Sequence, residues 1–470
     1  MAKGYFGKGY DPTYRVAEGT TSVWTVRNAK MFQYEYGDFK VSYMGKFALD
    51  ANGFITGGRL HQIEITLKGK LYSNVEGITV DAYKFFSHFD RGNVEANDKL
   101  IFRGDDDMSG SRHNDALFAH KGDDLLFGGK GDDFLSGGDG DDRIDGGSGA
   151  DRMEGGRGND LYIVQHKDDL VVETLKGAGG IDTVLSIKSH TLSKNVENLT
   201  LQGKASLSGR GNELDNEIIG NTASNRLQGF DGDDLLIGGK GNDLLKGGAG
   251  NDILRGGTGG DILDGGEGAD RLIGGNGDDL YRVHKAEDRV IEREDGGIDT
   301  VESIGSYRLG KNIENLTLKT GSSFDGRGNG LDNHIIGTSD RNKIVGRDGD
   351  DRLDGRGGDD RLVGGSGDDY LDGGRAGDTL IGGDGDDTLT GGRGADTFVF
   401  EQDDGRDVIT DFLRGADVLD VSDFGFDDAA EVLALANDNG ERTVIDLSET
   451  SQIVLRNTVL DDLDETMIVV

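Results

Sequence analysis

Eighteen aspartates stand nine residues apart in three runs: Asp115, Asp124, Asp133, Asp142, Asp151 and Asp160; Asp234, Asp243, Asp252, Asp261, Asp270 and Asp279; Asp351, Asp360, Asp369, Asp378, Asp387 and Asp396. Asn225 and Asn342 hold the same place one interval before the second and third runs. Carboxylates fixed in register can ligate a hard cation, and an adjustable all-oxygen shell suits Ca2+ better than Mg2+ or Zn2+. A thiolate site and a disulfide framework are both excluded, because the chain has no cysteine. With acids this abundant, a neighbouring pair of them is no sign of glycosidase chemistry.

The other places of the nonapeptide describe the elements that must position these acids. Residues 337–399 read GTSDRNKIV, GRDGDDRLD, GRGGDDRLV, GGSGDDYLD, GGRAGDTLI, GGDGDDTLT, GGRGADTFV. Glycine fills most of places one, two and four, the acid is sixth, and an apolar side chain is eighth, from Ile344 to Phe398. The same register recurs at 110–163 and 220–282. So much glycine disfavours a helix and supplies tight turns. The last three places suffice for a short strand with one side chain pointing inward. Two nonapeptides then make one circuit of turn, strand, turn, strand, and stacked circuits bury the eighth place. Acids eighteen residues apart, such as Asp124, Asp142 and Asp160, fall on one edge, with Asp133 and Asp151 on the other. At a strand spacing of ~4.8 Å, two carboxylates repel by about 3–4 kcal/mol at an effective dielectric of ~20. A divalent cation between successive turns converts that repulsion into attraction. Place five is often acidic too, as at Asp123, Asp132 and Asp141, and reads as further repulsion in a metal-free chain.

The nonapeptide G-G-x-G-x-D-x-U-x, with U apolar, resembles that of the RTX (repeats-in-toxin, hemolysin-type calcium-binding) family. The resemblance implies multiple Ca2+ ions at the eighteen sixth-place aspartates. It also implies one-step export from a Gram-negative bacterium by type I secretion machinery that reads an uncleaved C-terminal signal. The segment GRDVITDFLRGADVLDVS at 405–422 resembles the one that closes such arrays in secreted proteases and epimerases. The acidic-then-apolar tail, ending Thr466-Met467-Ile468-Val469-Val470, resembles a type I secretion signal.

The expected fold is all-β: a parallel β-roll or β-solenoid built from nonapeptides, with a small N-terminal β-rich domain and a C-terminal β cap. Residues 1–98 hold 17 of the 32 aromatic residues and read as that β-rich domain. Strands are expected there at 21–27, 30–36, 38–47 and 60–69, a turn at 50–53 and a short helix at 79–89. Its aromatics read as a small core rather than a glycan platform. The divisions that follow are array one at 99–164, a spacer at 165–219, array two at 220–283, a spacer at 284–336, array three at 337–400 and the cap at 401–470. The cap is expected to hold a helix at 427–436 and strands at 442–447 and 451–457.

The two spacers are copies of each other. IDTV at 181–184 recurs at 298–301, and NVENLTL at 195–201 returns as NIENLTL at 312–318. GRGNELDNEIIGN at 209–221 returns as GRGNGLDNHIIGT at 326–338. They read as further solenoid circuits, with Asn216 and Asn333 where an array has a charged ligand, and they resemble spacers in alginate epimerase repeat modules. His113 and His120, at places usually held by glycine, read as surface substitutions in a degenerate first repeat.

The balance of 51 basic against 89 acidic residues, a net charge of −38, argues against nucleic acid and against unassisted binding to an anionic membrane. It also predicts a poorly folded chain when calcium is scarce. The first residues, MAKGYFGKGYDPTYRV, lack the apolar stretch of a secretory signal peptide. No apolar run of the ~18 residues that mark a transmembrane segment is present. There is no HExxH and no GxSxG, and His61 and His88 have no recognisable catalytic partners. Residues 1–98 are too short for an epimerase catalytic β-helix, and the long hydrophobic region of a pore-former is missing. The expectation is a non-enzymatic, secreted or cell-surface calcium-binding protein that folds on Ca2+ binding outside the cell and associates with matrix or surface polysaccharide. The alternatives are an exported carbohydrate-active enzyme or epimerase-like accessory module, and a membrane-active toxin.

Overall fold

The computed structural model describes residues 105–110, 112–173, 180–319, 323–438 and 440–470 in full, and before them the backbone of five strands. The chain divides into two compact units, Met1–Asn221 and Thr222–Val470.

In the first unit the early strands are Lys3–Tyr5, Met31–Tyr36, Phe39–Leu49, Ile55–Leu67 and Lys70–Glu76, each antiparallel to the next. Three expected strands fall on them, those at 30–36, 38–47 and 60–69. The expected strand at 21–27, the turn at 50–53 and the helix at 79–89 lie outside the described residues, as do the N-terminal aromatic side chains, His61 and His88.

From Asp107 onward the unit is a parallel solenoid. Leu125–Lys130 and Arg143–Ser148 stack in one wall, with Leu125 opposite Arg143 and Arg143 opposite Leu161. Ala116–Lys121, Phe134–Asp139 and Arg152–Arg157 stack in the other. Within each strand the second and fourth residues turn inward, as the period of two demands. The eighth-place residues Leu117, Leu126, Leu135, Ile144, Met153 and Tyr162 are therefore all buried. The first spacer continues the same wall: Leu161 faces Thr183, Thr183 faces Asn198, and Asn198 faces Glu217. Its coils carry Val184, Leu199 and Ile218 into the core.

The second unit repeats this plan. Its array strands stack at the same eighteen-residue register, from Arg226–Asp231 through Arg271–Asn276 and from Lys343–Asp348 through Thr388–Arg393. The second spacer links them with Leu280 facing Thr300, Thr300 facing Asn315, and Asn315 facing His334. The spacers are thus coils of the solenoid. The fold is the expected parallel β-solenoid.

The last coil needs a lid, since a stacked repeat ends on exposed apolar surface. Gly405–Ile409 pairs in parallel with Ser451–Arg456, which turns antiparallel against Arg442–Asp446. The helix here is Ala429–Ala434, shorter than expected. Asp428 caps its start by accepting the Glu431 N–H at 3.0 Å. It stops because Ala436–Asp438 leaves to pair with Arg442–Asp446. The tail ends in the strand Ile468–Val469, parallel to Val418–Asp420.

Candidate metal centre

All eighteen sixth-place aspartates are buried, none more than 6 % exposed. The turn before each short strand tucks the side chain against the preceding coil. At every sixth-place aspartate from Asp124 to Asp160, from Asp243 to Asp279 and from Asp351 to Asp396, Oδ1 accepts the N–H of the sixth-place residue one coil earlier. The Asp106 N–H donates to Asp124 at 2.6 Å, that of Asp142 to Asp160 at 2.8 Å, and that of Asp369 to Asp387 at 2.7 Å. The acids therefore form the two edge columns expected from the spacing.

The other oxygen has no such partner. Oδ2 is buried without a hydrogen bond at Asp124, Asp133, Asp142, Asp151 and Asp160 in the first unit. In the second unit the same holds at Asp243, Asp252, Asp261, Asp270, Asp279, Asp351, Asp360, Asp369, Asp378 and Asp387. Each faces a cradle beside a first-place residue, which is glycine at all of them but Asp124, where it is Ala119. A Cβ on Gly247 would lie 2.1 Å from Asp252 Oδ2 and 2.6 Å from the carbonyl oxygen of Gly265, one coil on. A Cβ on Gly364 would lie 2.1 Å from Asp369 Oδ2 and 2.5 Å from the Gly382 carbonyl oxygen. At these two positions glycine keeps the cradle open, because a Cβ would fill it. Its walls are acceptors with no donor, which is the chemistry of a cation site rather than of a hydrogen bond.

Electrostatics agree with the geometry. Burial pushes the carboxyls of Asp142 and Asp387 up to about 8 and that of Asp252 up to about 7, against the pull of the backbone N–H each accepts. Neighbouring acids push the same way: Asp160 and Asp124 on Asp142, and Asp369 and Asp404 on Asp387. A buried acid in this state needs either a proton or a cation.

Place five adds the expected repulsion, with Asp123 pushing the carboxyls of Asp124 and Asp142 up and Asp132 those of Asp133 and Asp151, and it has a second role. Asp123 Oδ1 accepts the Asp141 N–H at 2.9 Å, Asp132 the Ala150 N–H at 2.9 Å, and Asp368 the Asp386 N–H at 2.9 Å. These exposed acids serve the coil after their own, whereas sixth-place acids serve the coil before. His113 is exposed, and His120 occupies its second place with φ of 75°.

The columns run past the nonapeptides; Asp169 and Asp288 keep the nine-residue register, one interval after Asp160 and Asp279, whereas the other added members were not evident from it. Asp182 accepts the Asp160 N–H, and Glu197 that of Asp182. In the second unit Asp299 accepts from Asp279 and Glu314 from Asp299. On the opposite edge Asp169 and Asp288 end the columns, each also receiving two N–H groups of its own turn on Oδ2. Asp407 and Asp417 continue the third array. The signal for the spacer members was the duplication, since the acids of IDTV and of NVENL and NIENL recur in both copies. Asn216 and Asn333 each donate Nδ2 to two spacer carbonyls, Val196 and Glu197 or Ile313 and Glu314, so asparagine supplies donors where the arrays present bare acceptors.

The family model for the RTX calcium-binding nonapeptide repeat (4 copies) matches residues 102–135, 127–162, 210–245, 246–281, 327–362, 363–398 and 372–409. No curated protein matches the chain. Among solved structures, the extracellular lipase LipA from Serratia marcescens is similar at 15% identity and a TM-score of 0.20, over 93% of this chain and 81% of that one. So loose a superposition carries no argument about activity.

Proposed function

The chain carries the RTX calcium-binding nonapeptide repeat in each of its three arrays, and from that premise we propose an exported protein whose solenoid is completed by Ca2+ outside the cell. The observation that carries the reading is the cradle of acceptors: a buried, unpartnered Oδ2 beside a carbonyl oxygen of the next coil, repeated along both edges. The sixth-place aspartates and the first-place carbonyls of successive coils would hold the ions. Bound there, Ca2+ supplies the positive charge that offsets stacked carboxylates. The protein's own part is to hold Oδ1 on a backbone N–H, so that Oδ2 stays aimed at the cradle.

Extracellular calcium modules bind at ~10⁻⁴–10⁻³ M, well above cytosolic levels, so the sites would fill only after export. Binding energy of an ion that needs the folded coil becomes folding energy. A chain left unfolded inside suits type I secretion machinery, the partner we infer for export. We further read the protein as non-enzymatic and associated with surface or matrix polysaccharide. The structural use of the buried acids supports the non-enzymatic part of that reading.

Circular dichroism during a calcium titration, with a chelator control, tests the mechanism. The expected result is a cooperative gain of β-structure as calcium rises; full β-structure in chelator overturns it. Co-sedimentation with uronate polymers, with and without calcium, tests the partner, and binding to none of them removes it.

A further inference from the structure

We propose that the ends of the first and second arrays each carry a cation site built differently from the array sites, formed by Asp160, Glu173 and Asp182 in one unit and by Asp279, Glu292 and Asp299 in the other. The inference rests on the calcium reading of the arrays and adds ligands that the nonapeptide does not contain. Among the described residues, these are the two groups of three acids whose ligand oxygens all lie within 4.8 Å of one another. At a Ca–O distance of ~2.4 Å, oxygens on opposite sides of one ion are about 4.8 Å apart, so each group can share a single Ca2+.

The local sequence explains why the site arises there. Glu173 and Glu292 stand eighteen residues after Gly155 and Gly274, which places them in first-place register, where the arrays have glycine. In an array coil, the next first-place residue offers the cradle only a carbonyl. Here it offers a carboxylate. Glu173 Oε1 is held by the N–H groups of Gly155 and Gly156, each at 3.2 Å, and by the Tyr162 hydroxyl. With that oxygen fixed, Oε2 is left buried and without a partner, as is Asp160 Oδ2. Glu173 is 6 % exposed and Asp160 1 %. Asp182 closes the group from the start of Thr183–Ser186 and is tied to the column through the Asp160 N–H at 2.8 Å.

The second unit gathers the same three acids with one difference. Glu292 Oε1 accepts the Gly275 N–H at 3.4 Å and its Oε2 the Arg293 N–H at 3.0 Å, while the Gly274 N–H goes to the Tyr281 hydroxyl at 2.8 Å, so the unpartnered oxygens there belong to Asp279 and Asp299. A Cβ on Gly274 would meet Asp279 Oδ2, the Tyr281 hydroxyl and Glu292 Oε1 within 2.5 Å. Asp299 Oδ2 is buried without a partner, and that residue is fully buried. In both arrays the final eighth-place residue is tyrosine, Tyr162 or Tyr281, whose hydroxyl reaches this cradle; the preceding eighth-place residues are aliphatic.

The third array ends without such a group and serves as an internal control. Its final eighth-place residue is Phe398, with no hydroxyl. The corresponding acid is Asp411, which spends one oxygen on the Gly391 N–H at 3.0 Å and the other on the Gly392 N–H at 2.8 Å. Both of its oxygens are occupied, as are those of Glu292, whereas Glu173 keeps one free; what sets the third array apart from both is that no three acids gather within 4.8 Å at its end among the described residues. Three carboxylates on one ion give more charge than an array cradle offers, and ligand charge tunes calcium affinity over decades. The junction sites are therefore the tightest in the chain and fill before the arrays.

The test uses the full chain, calcium counted by equilibrium dialysis, and terbium as a luminescent stand-in excited through tyrosine. Glu173→Gln with Glu292→Gln keeps side-chain shape and removes the charge. The expected result is two fewer ions per chain, one for each group. The tightest class should also weaken at least about tenfold, since even a group that only hydrogen-bonds a metal's ligand is worth that much. Asp411→Asn should leave the count unchanged. Should the glutamine pair bind as the wild type does, or Asp411→Asn lose as many ions, the proposal falls. Tyr162→Phe with Tyr281→Phe gives a reading that does not depend on the glutamine pair folding. The calcium count should hold while early sensitised terbium emission falls, and undiminished emission overturns the proposal. A wild-type chain that binds no calcium would instead sink the function proposed for the arrays.

Discussion

Array coils and spacer coils share one core and differ at their edges. Leu254 in an array and Leu316 in a spacer are equally buried, and the strands around both pair in parallel. At the edge, an array coil presents Asp252 with an unpartnered oxygen. A spacer coil presents Asn329, whose Nδ2 donates to the Gly310 and Ile313 carbonyls at 2.7 Å each, and whose N–H is taken by Asn333 Oδ1. Asn212 makes the matching set in the first unit, to the Ser193 and Val196 carbonyls and Asn216. One backbone design is thus closed in two ways: by amide donors already in the chain, or by something the chain must acquire. At these asparagines the polar edge of the spacer is satisfied by protein alone, unlike at the array junctions, where Glu173 and Asp299 keep unpartnered oxygens.

That contrast is most easily broken by removing calcium. In chelator, hydrogen exchange should show array amides, such as those of 343–393, losing protection by orders of magnitude, while spacer amides such as those of 315–318 retain more. Equal loss in both would mean the edges are not what distinguishes them.

Acid should act on the same difference. Asp142, Asp360 and Asp387 sit at about 8 and Asp252 and Asp369 at about 7, chiefly through burial. A carboxyl raised by folding favours the folded chain when protonated. Without calcium, that support is complete below the unfolded value of ~3.9 and is lost as pH rises through 7 to 8. The metal-free chain should therefore show more β-structure by circular dichroism at pH 4 than at pH 8. With calcium present the order should reverse, because protons compete for the same oxygens.

Single side chains sharpen the comparison further. Asp369→Ala or Asp387→Ala should raise the calcium midpoint for folding at least about tenfold, as loss of a ligand outweighs loss of an outer partner. Asp403→Ala should shift it far less, since Asp403 is exposed and bonds the Thr450 hydroxyl at 2.6 Å. Asp404 is not an equivalent control: it is 3 % exposed and receives the Glu401 N–H. The smallest effect is expected from Asn329→Ala, a loss of about 1–2 kcal/mol by thermal unfolding from carbonyls left unpaired. The calcium count should not change, and a change would make the spacer edge part of the metal system.

Much of this was legible in residue order. Place eight gave the core residue by residue because one inward side chain per strand leaves no choice of face. Place six gave the columns because eighteen residues close one circuit wherever the nonapeptide is unbroken. Legibility failed where the period changed. Asp182 and Asp299 join the columns 22 and 20 residues after their partners, distances that a fixed period of eighteen misses. The place-five acids were only half legible: their repulsion of the sixth-place acids follows from charge, while the N–H they accept belongs to a coil that only stacking brings near.

By itself the sequence determined the circuit, the inward face, the acidic edges and the kind of ion those edges suit, because a strict nonapeptide carries its own geometry. Tertiary structure decided which oxygen of each aspartate is occupied and which is left over. It also decided that Glu173 and Glu292 enter cradles that glycine leaves open, and that spacer asparagines close their edges without a metal. Those outcomes depend on contacts between coils eighteen or more residues apart, and no local pattern of residue types specifies where a side chain finds its donor.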